Sequence, residues 1–401
     1  MQILFLHNNF PAQFGALGGF LARRGWDVWF GTQRKGVAAN GLKVFAYEPH
    51  RKVSDKTHPY AANFENAVLN AQATARAALR LKTKGLDPDI VVAHSGWGPG
   101  LFAKDLWPDA KYVGYFEWYY RSDAPDVAFF DGDRSMDDQL RARARSAAIL
   151  MDLASCDAGI CPTRFQYDQF PECFQPKLNV LHDGVDVEAC KPNPHVRLSL
   201  DDIELSRDDE IVTYVARGME PYRGFPQFMK ACEIILAERP NAHVVIVGED
   251  RVAYGKKLNG GDSYKKKALR ELSIDPARLH FTGLLPRAKY IEVLQASTVH
   301  VYLTAPFVLS WSMMEAMSAE CAIVASDTAP VRELIDQEVH GVLTDIADPA
   351  AIAASVTALL DDEARRRRLG AAARARIVEA YEAQTLMERH EALFESLASV
   401  S

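Results

Sequence analysis

Short apolar runs, each followed by an amphipathic helix and then by another such run, constrain this chain more than any other feature. Ile3-Leu4-Phe5-Leu6 is an apolar strand ending in polar residues. The loop His7 to Gln13 leads into a helix whose apolar face includes Leu17, Phe20 and Leu21. Arg23-Arg24-Gly25 then places basic residues in the last turn and a glycine stop after it. Trp26-Asp27-Val28-Trp29-Phe30 is a second strand. Strand, helix, strand at this spacing is a βαβ unit, which makes the sheet parallel.

The alternation continues. The pattern predicts a helix over 64–84, a buried strand Ile90-Val91-Val92-Ala93 ending at His94, and the glycine-rich turn Ser95-Gly96-Trp97-Gly98-Pro99-Gly100. A strand over 111–116 ends at Glu117. In open parallel sheets the working groups gather at such carboxyl ends, which singles out His94 and Glu117. Asp183-Gly184-Val185-Asp186 and Lys191-Pro192-Asn193-Pro194 read as a turn and linker, after which the alternation starts afresh. Strands are expected at 211–216, 243–247, 279–282, 299–303 and 323–325, with a helix over 225–239. The expected architecture is therefore two doubly wound, Rossmann-like domains facing each other across a cleft, 1–187 and 188–375, with a final helical stretch 376–401 packing back on the first.

At 401 residues the chain is comfortable for two cores. Its 46 basic and 53 acidic residues give a net charge of −7, without the concentrated basic face that a nucleic-acid binder needs. The run Arg365-Arg366-Arg367-Arg368, with Arg374 and Arg376 beyond, reads as a solvated helix face. The six cysteines show no CxxC spacing, so structural zinc is not expected and the thiols should be reduced. The amino terminus turns polar too soon for a signal peptide, and no run approaches the roughly twenty apolar residues of a spanning helix. A cytoplasmic protein is expected, with contact at the inner membrane surface left open.

Two segments carry the chemistry. In Val215-Ala216-Arg217-Gly218-Met219-Glu220-Pro221-Tyr222-Arg223-Gly224, two arginines flank a turn between a strand and a helix. Paired guanidiniums there suit a diphosphate, although two solvated loop arginines would look the same. In Phe307-Val308-Leu309-Ser310-Trp311-Ser312-Met313-Met314-Glu315, a strand again gives way to a helix, whose first N–H groups favour an anion. Glu315 could accept ribose hydroxyls. Ser312 and Glu315 also spell an S-x-x-E capping box, which needs no ligand.

With Asp183-Gly184-Val185-Asp186, Gly283-Leu284-Leu285-Pro286 and Ser326-Asp327-Thr328-Ala329-Pro330-Val331-Arg332-Glu333-Leu334, these segments resemble glycosyltransferase family 4. The resemblance implies a GT-B fold and a retaining, metal-independent transfer of a hexose-type sugar from a UDP- or GDP-linked donor. It implies a donor site formed by Arg217, Arg223, Gly283, Leu284, Leu309, Ser310, Trp311 and Glu315. Arg217 matches the diphosphate-binding arginine, and Arg223 stands where a lysine is usual. Glu315 matches the second of two glutamates, whereas the position of the first holds Phe307. In the amino-terminal half Gly15 matches a loop glycine, Glu117 stands where relatives carry a histidine near the reacting sugar, and His94 resembles another strand-end histidine. His94, Glu117, Arg217 and Arg223 are accordingly the expected catalytic set.

The acceptor expected from the resemblance is a glycan, a lipid-linked glycan or a small molecule. No nucleic-acid partner and no cofactor are expected. Asp131-Gly132-Asp133 has the form of a metal-binding D-x-D but reads as a turn, and Gly248 is no dinucleotide fingerprint because no G-x-G-x-x-G follows. Two rival readings stay open: a sugar-nucleotide epimerase of the same fold, and a nucleotide-sugar-binding protein with impaired catalysis, the latter motivated by Phe307.

Overall fold

The computed structural model describes residues 1–130, 135–200 and 203–399. The chain forms two compact units, Met1–Asp183 together with Gln384–Ser401, and Gly184–Ala383. Asp131-Gly132-Asp133 lies outside the described residues.

The first unit is built on seven parallel strands, β1 (Gln2–Leu6), β2 (Asp27–Thr32), β3 (Leu42–Ala46), β4 (Ile90–His94), β5 (Lys111–Tyr115), β6 (Ala158–Cys161) and β7 (Leu178–Val180). Their order is β3-β2-β1-β4-β5-β6-β7. The direction of winding therefore reverses between β1 and β4, where Leu4 pairs with Val91 and Leu6 with Ala93. Ile3, Leu4, Phe5 and Leu6 are all buried, as a strand covered on both faces requires. The helix Ala383–Ser399 buries Leu386, Met387 and Phe394. Its Glu391 accepts from Trp26 Nε1 at 3.1 Å and pairs with Arg24 at 2.6 Å.

The second unit holds an antiparallel hairpin, β8 (Arg197–Leu200) with β9 (Ile203–Ser206), and a six-stranded parallel sheet. The sheet comprises β10 (Glu210–Gly218), β11 (Ala242–Glu249), β12 (Leu279–Gly283), β13 (Val299–Tyr302), β14 (Ala322–Ser326) and β15 (Val342–Thr344). In the order β12-β11-β10-β13-β14-β15, the winding reverses between β10 and β13. The helix Phe225–Glu238 covers one face, with Phe228 stacked on Tyr214 at 4.6 Å between ring centroids. Both units are thus doubly wound parallel sheets.

Three local expectations change. Strands β3, β6, β7 and β15 and the β8–β9 hairpin are absent from the sequence reading. The hairpin's Leu198, Leu200 and Leu205 are buried in alternation with exposed polar residues, a signal too short to stand out in a polar stretch. Strand β10 runs to Gly218 with a register shift between Val215 and Gly218, so Arg217 sits on a bulged strand end rather than in a free loop. The arginine run is more than a solvated face. Arg366 Nη1 donates to the carbonyls of Leu359 and Leu360 at 2.6 Å, and Arg374 Nη1 to Ser318 O at 2.5 Å. These bonds reach carbonyls in the last turns of two helices, where intrahelical partners run out.

Among the described residues no helix is long and apolar enough to cross a membrane.

Candidate functional site

Each unit gathers polar residues at the carboxyl ends of its strands, beside the point where its winding reverses. Open α/β sheets place ligands there because the loops on either side leave in opposite directions.

In the second unit β10 delivers the arginine turn. Arg217 is exposed, whereas Arg223 is only 6% exposed. Arg223 Nη1 donates to Thr304 Oγ1 at 2.8 Å and lies 3.4 Å from Tyr302 Oη, at the end of β13. Tyr214 in turn donates its phenol to the carbonyl of Arg223 at 2.7 Å. Gly224, at φ +62°, turns the chain into the helix Phe225–Glu238, and a Cβ there would lie 2.6 Å from Leu303 Cβ.

The backbone N–H of Ser310 donates to Tyr302 Oη at 2.8 Å, so the phenol oxygen of Tyr302 receives from both the arginine turn and the serine loop. The two segments that carry the chemistry in the sequence are therefore brought to one spot. Ser310 is also the N-cap of the helix Trp311–Ser318. Its Oγ lies 2.9 Å from Ser312 Oγ and accepts from Ser312 N at 3.4 Å. The capping box expected of Ser312 and Glu315 does not form, because the helix starts two residues earlier than that motif needs. Glu315 instead pairs with Arg287 Nη1 at 2.5 Å and accepts from Tyr290 Oη. Both carboxylate oxygens thus have a protein donor, and the remaining lone pairs are what a ribose could use.

Leu309 packs on the core, and Trp311 is exposed at the helix start. Gly283, at φ +66°, and the exposed Leu284 close β12, at the edge of the sheet and two strands from β10. Phe307 is 6% exposed and packs edge-on against Tyr222 at 5.5 Å and Tyr254 at 5.1 Å. The guanidinium of Arg223 lies 5.6 Å from the centre of the Tyr254 ring. Phe307 is thus part of the packing that surrounds Arg223.

Three residues here escape sequence reasoning. Glu220 is fully buried, and its Oε2 accepts the backbone N–H groups of Ala253 and, at 2.7 Å, Tyr254. Burial raises its carboxyl above the ordinary value despite these bonds and the nearby Arg223 and Arg251. Arg287 and Tyr290, which hold Glu315, sit on the helix Arg287–Ala296. The only sequence signal for them is a helix start just after Pro286.

In the first unit His7 follows β1, His94 ends β4 and Glu117 follows β5. Glu117 Oε2 lies 3.3 Å from His94 Nε2, and Glu117 Oε1 accepts from Gln13 Nε2 at 2.5 Å. Burial pushes the Glu117 carboxyl up, but His94 and Gln13 outweigh it and leave it below its ordinary range. Burial and the neighbouring His94 lower His7 to about 3, so its ring is neutral at physiological pH. The ring of Trp97 stacks on His94 at 4.0 Å with an interplanar angle of 10°. Ser95 Oγ and Tyr112 Oη both donate to the buried Asp152, at 2.7 and 2.6 Å, which fixes the loop after β4.

Gly15 lies in the helix Phe14–Arg23, where a Cβ would stand 2.3 Å from Pro11 Cβ. It allows the loop after β1 to fold closely on its own helix. His7, Gln13 and Trp97 are additions to the sequence reading. Each occupies a loop after a strand, a signal too general to select them. Among the described residues no group of three or more His, Cys, Asp or Glu side chains could hold a metal ion.

Comparison with known proteins bears on the family and the fold. The family described as "Glycosyl transferase family 4 group" matches residues 24–190, and "Glycosyl transferases group 1" matches residues 198–376. A D-inositol 3-phosphate glycosyltransferase of Corynebacterium glutamicum is 24% identical over 51% of this chain and 47% of its own length. A phosphatidyl-myo-inositol mannosyltransferase of Mycolicibacterium smegmatis is 27% identical over 40% of this chain and 38% of its own. The chain thus spans less than half the length of these curated relatives. Among solved structures, sucrose-phosphate synthase from Thermosynechococcus elongatus superposes with a TM-score of 0.77 at 15% identity, covering all of both chains. Anabaena HepE in complex with UDP and glucose superposes at 0.71 and 17% identity, again over all of both chains. These two likenesses concern the fold. They show the GT-B fold of two Rossmann-like domains, and the two family matches, which between them run from residue 24 to residue 376 with a short gap, show that the chain belongs to the family 4 glycosyltransferases.

Proposed function

We propose that this protein transfers a hexose-type sugar from a UDP- or GDP-linked donor to an acceptor hydroxyl, with the α configuration kept and without a metal ion. The observation that carries this reading is the convergence of Arg223 and the Ser310 N–H on Tyr302 Oη. It supports a region of positive potential in which the buried guanidinium lies close to the start of the helix Trp311–Ser318, and which the exposed Arg217 of the same turn would join. A leaving diphosphate gathers negative charge in the transition state, and prearranged donors stabilise that charge without reorganising.

In the reaction the bond from the sugar's anomeric carbon to the phosphate oxygen breaks. A bond to the acceptor oxygen forms on the same face, and the acceptor proton passes to the departing phosphate. Arg217 and Arg223 would hold the diphosphate, and Glu315 the ribose. His94 and Glu117 would act near the reacting sugar, and Gly283, Leu284, Leu309, Ser310 and Trp311 would line the nucleotide. The acceptor would be a glycan or lipid-linked glycan, which fits assembly of a surface polysaccharide or glycolipid at the cytoplasmic side of a membrane. The phosphatidyl-myo-inositol mannosyltransferase relative and the structural neighbour solved with UDP and glucose support this setting.

The test is calorimetric titration with UDP and GDP, followed by turnover of a panel of nucleotide sugars with EDTA present. Binding of one nucleotide that is lost in both Arg217→Ala and Glu315→Ala is expected. Unchanged binding in both variants would remove the site assignment. Phe307 favours a second reading, a nucleotide-sugar-binding protein with impaired catalysis. That reading requires binding with neither transfer nor hydrolysis of any donor in the panel.

A further inference from the structure

The whole-chain charge of −7 conceals a strongly basic segment in the second unit. Residues 251–270 carry seven lysines and arginines against the single carboxylate of Asp262, a formal charge of +6. They comprise the loop after β11 and most of the helix Tyr264–Glu271. Hydrogen bonds close this loop on the helix. Ser263 caps the helix by accepting from Lys266 N at 3.1 Å, and its hydroxyl donates to Asp250 at 2.9 Å, just after β11. Tyr264 Oη donates to the carbonyl of Lys256 at 3.0 Å, which brings Lys256 and Lys257 next to the first turn of the helix.

Three of the seven cations are engaged. Arg251 pairs with Glu249 at 2.7 Å, Arg270 pairs with Asp262 at 2.9 Å, and Lys265 lies over the Phe281 ring at 4.1 Å. The other four, Lys256, Lys257, Lys266 and Lys267, are exposed, and their ammonium groups make no hydrogen bond or ion pair among the described residues. Like charges gathered in this way repel one another and set up a positive potential that an external anion would relieve.

The chemistry of the segment separates the anionic partners. A single-stranded nucleic acid needs exposed rings to stack on. Here Tyr254 turns to Phe307 and to Arg223, at 5.1 and 5.6 Å, and Tyr264 is half-buried with its phenol bound to Lys256. All four free cations are lysines, compact point charges without the planar fork that grips a phosphate in one geometry. Leu269 is 48% exposed and follows Lys265 and Lys266 by one helical turn, so an apolar side chain shares their face. Lysines around an exposed leucine suit lipid headgroups, where each lysine raises partitioning about fivefold.

We propose that residues 251–270 form a docking surface for an anionic lipid bilayer. Through Tyr254 the segment adjoins the arginine turn, so docking would hold the donor site of this unit near the lipid surface. The link to a lipid-linked acceptor rests on the transfer proposed above; the docking itself does not.

The experiment is co-sedimentation of the full chain with vesicles of phosphatidylcholine containing roughly a third phosphatidylglycerol, and with vesicles of phosphatidylcholine alone. The chain should bind the anionic vesicles and not the neutral ones. Binding should fall at least about tenfold between roughly 0.1 M and roughly 0.5 M salt, because the charges are exposed and screened. Lys256→Glu/Lys257→Glu and Lys266→Glu/Lys267→Glu should each weaken it about twentyfold or more. Lys52→Glu/Lys56→Glu, the same charge change at exposed lysines of the first unit, should weaken it less than about threefold. Urea denaturation checks that all three variants are folded. The proposal is overturned if anionic vesicles are not bound, if neutral vesicles bind as well, or if the three double variants lose binding equally. Tighter binding of a single-stranded oligonucleotide, lost in the same variants, would assign the segment to nucleic acid and overturn it too. UDP titrated in parallel separates the two readings. Vesicle binding without UDP binding sinks the donor reading alone, and UDP binding without vesicle binding sinks the docking alone.

Discussion

The carboxylate of Glu220 accepts the backbone N–H of Tyr254 at 2.7 Å, and the same oxygen accepts that of Ala253. A fully buried side chain in the arginine turn thereby anchors the segment that follows β11. Tyr254 carries the anchor onward, since its ring meets Phe307 at 5.1 Å and underlies the guanidinium of Arg223 at 5.6 Å. Glu220→Ala leaves two backbone donors without their partner. It should lower stability by roughly 2 kcal/mol or more in urea denaturation and weaken nucleotide binding with it. Glu220→Gln keeps an acceptor oxygen and should retain most of both. Equal losses in the two variants would show that the charge, not the hydrogen bonds, does the anchoring.

Phe307 offers a direct comparison of packing with family habit. Its ring lies between Tyr222 and Tyr254, so Phe307→Ala should cost about 3–5 kcal/mol, the usual range for a buried phenylalanine. Phe307→Glu, which restores the carboxylate usual in the family, places a charge among rings and should destabilise by at least roughly 2 kcal/mol. Turnover should fall with it. A folded Phe307→Glu variant with higher turnover would mean that the ring pocket opens readily to water.

Much of this was legible in the sequence because a parallel sheet buries its strands on both faces. Unbroken runs such as Ile3 to Leu6 and Ile90 to Ala93 announce themselves, and their ends pick out His94 and Glu117. The segments around Arg217 and Ser310 were legible as well, as strand ends that open helices. Their meeting through Tyr302 was not, because a phenol inside an apolar strand carries no sign of what its oxygen will bind. Glu220 was hidden for a similar reason. A glutamate in a turn is usually solvated, and only the backbone of a distant loop makes its burial tolerable. The capping box that Ser312 and Glu315 spell does not form, because such a box depends on where the helix begins and Ser310 takes the N-cap position first.

Asp152 should give the first unit a distinct pH dependence. Burial raises its carboxyl from 3.8 to about 6, against the opposing effect of its bonds from Tyr112 and Ser95. Between those values the folded chain keeps a proton that the unfolded chain has released, so the contribution of Asp152 to stability falls as pH rises through this window and is constant above it. The span corresponds to roughly 3 kcal/mol. Urea denaturation of the unaltered chain and of Asp152→Asn from about pH 4 to about pH 7 isolates the group, because other carboxylates titrate in both. The stability of the unaltered chain relative to the variant should decline across the series. A rising difference would show that the Asp152 carboxyl is lowered by folding rather than raised.

The two arginines of the turn should separate binding from folding. Arg217 is exposed on a bulged strand end, and Arg251 Nε, at 3.5 Å, reaches its backbone carbonyl and not its side chain. Arg217→Ala should therefore leave stability within about 0.5 kcal/mol while lowering nucleotide affinity. Arg223 is buried against Thr304 and Tyr302, so Arg223→Ala should lower both, the first by roughly 1–3 kcal/mol as Thr304 loses its charged donor. Arg223→Lys keeps the charge but not the planar fork that reaches Thr304 while leaving other N–H groups for a phosphate. It should fall between the two in affinity. Calorimetric titration with UDP and GDP, paired with urea denaturation of the same preparations, reads both quantities. If Arg223→Ala lost affinity without stability, the buried contacts would be incidental and Arg223 would be a ligand group only.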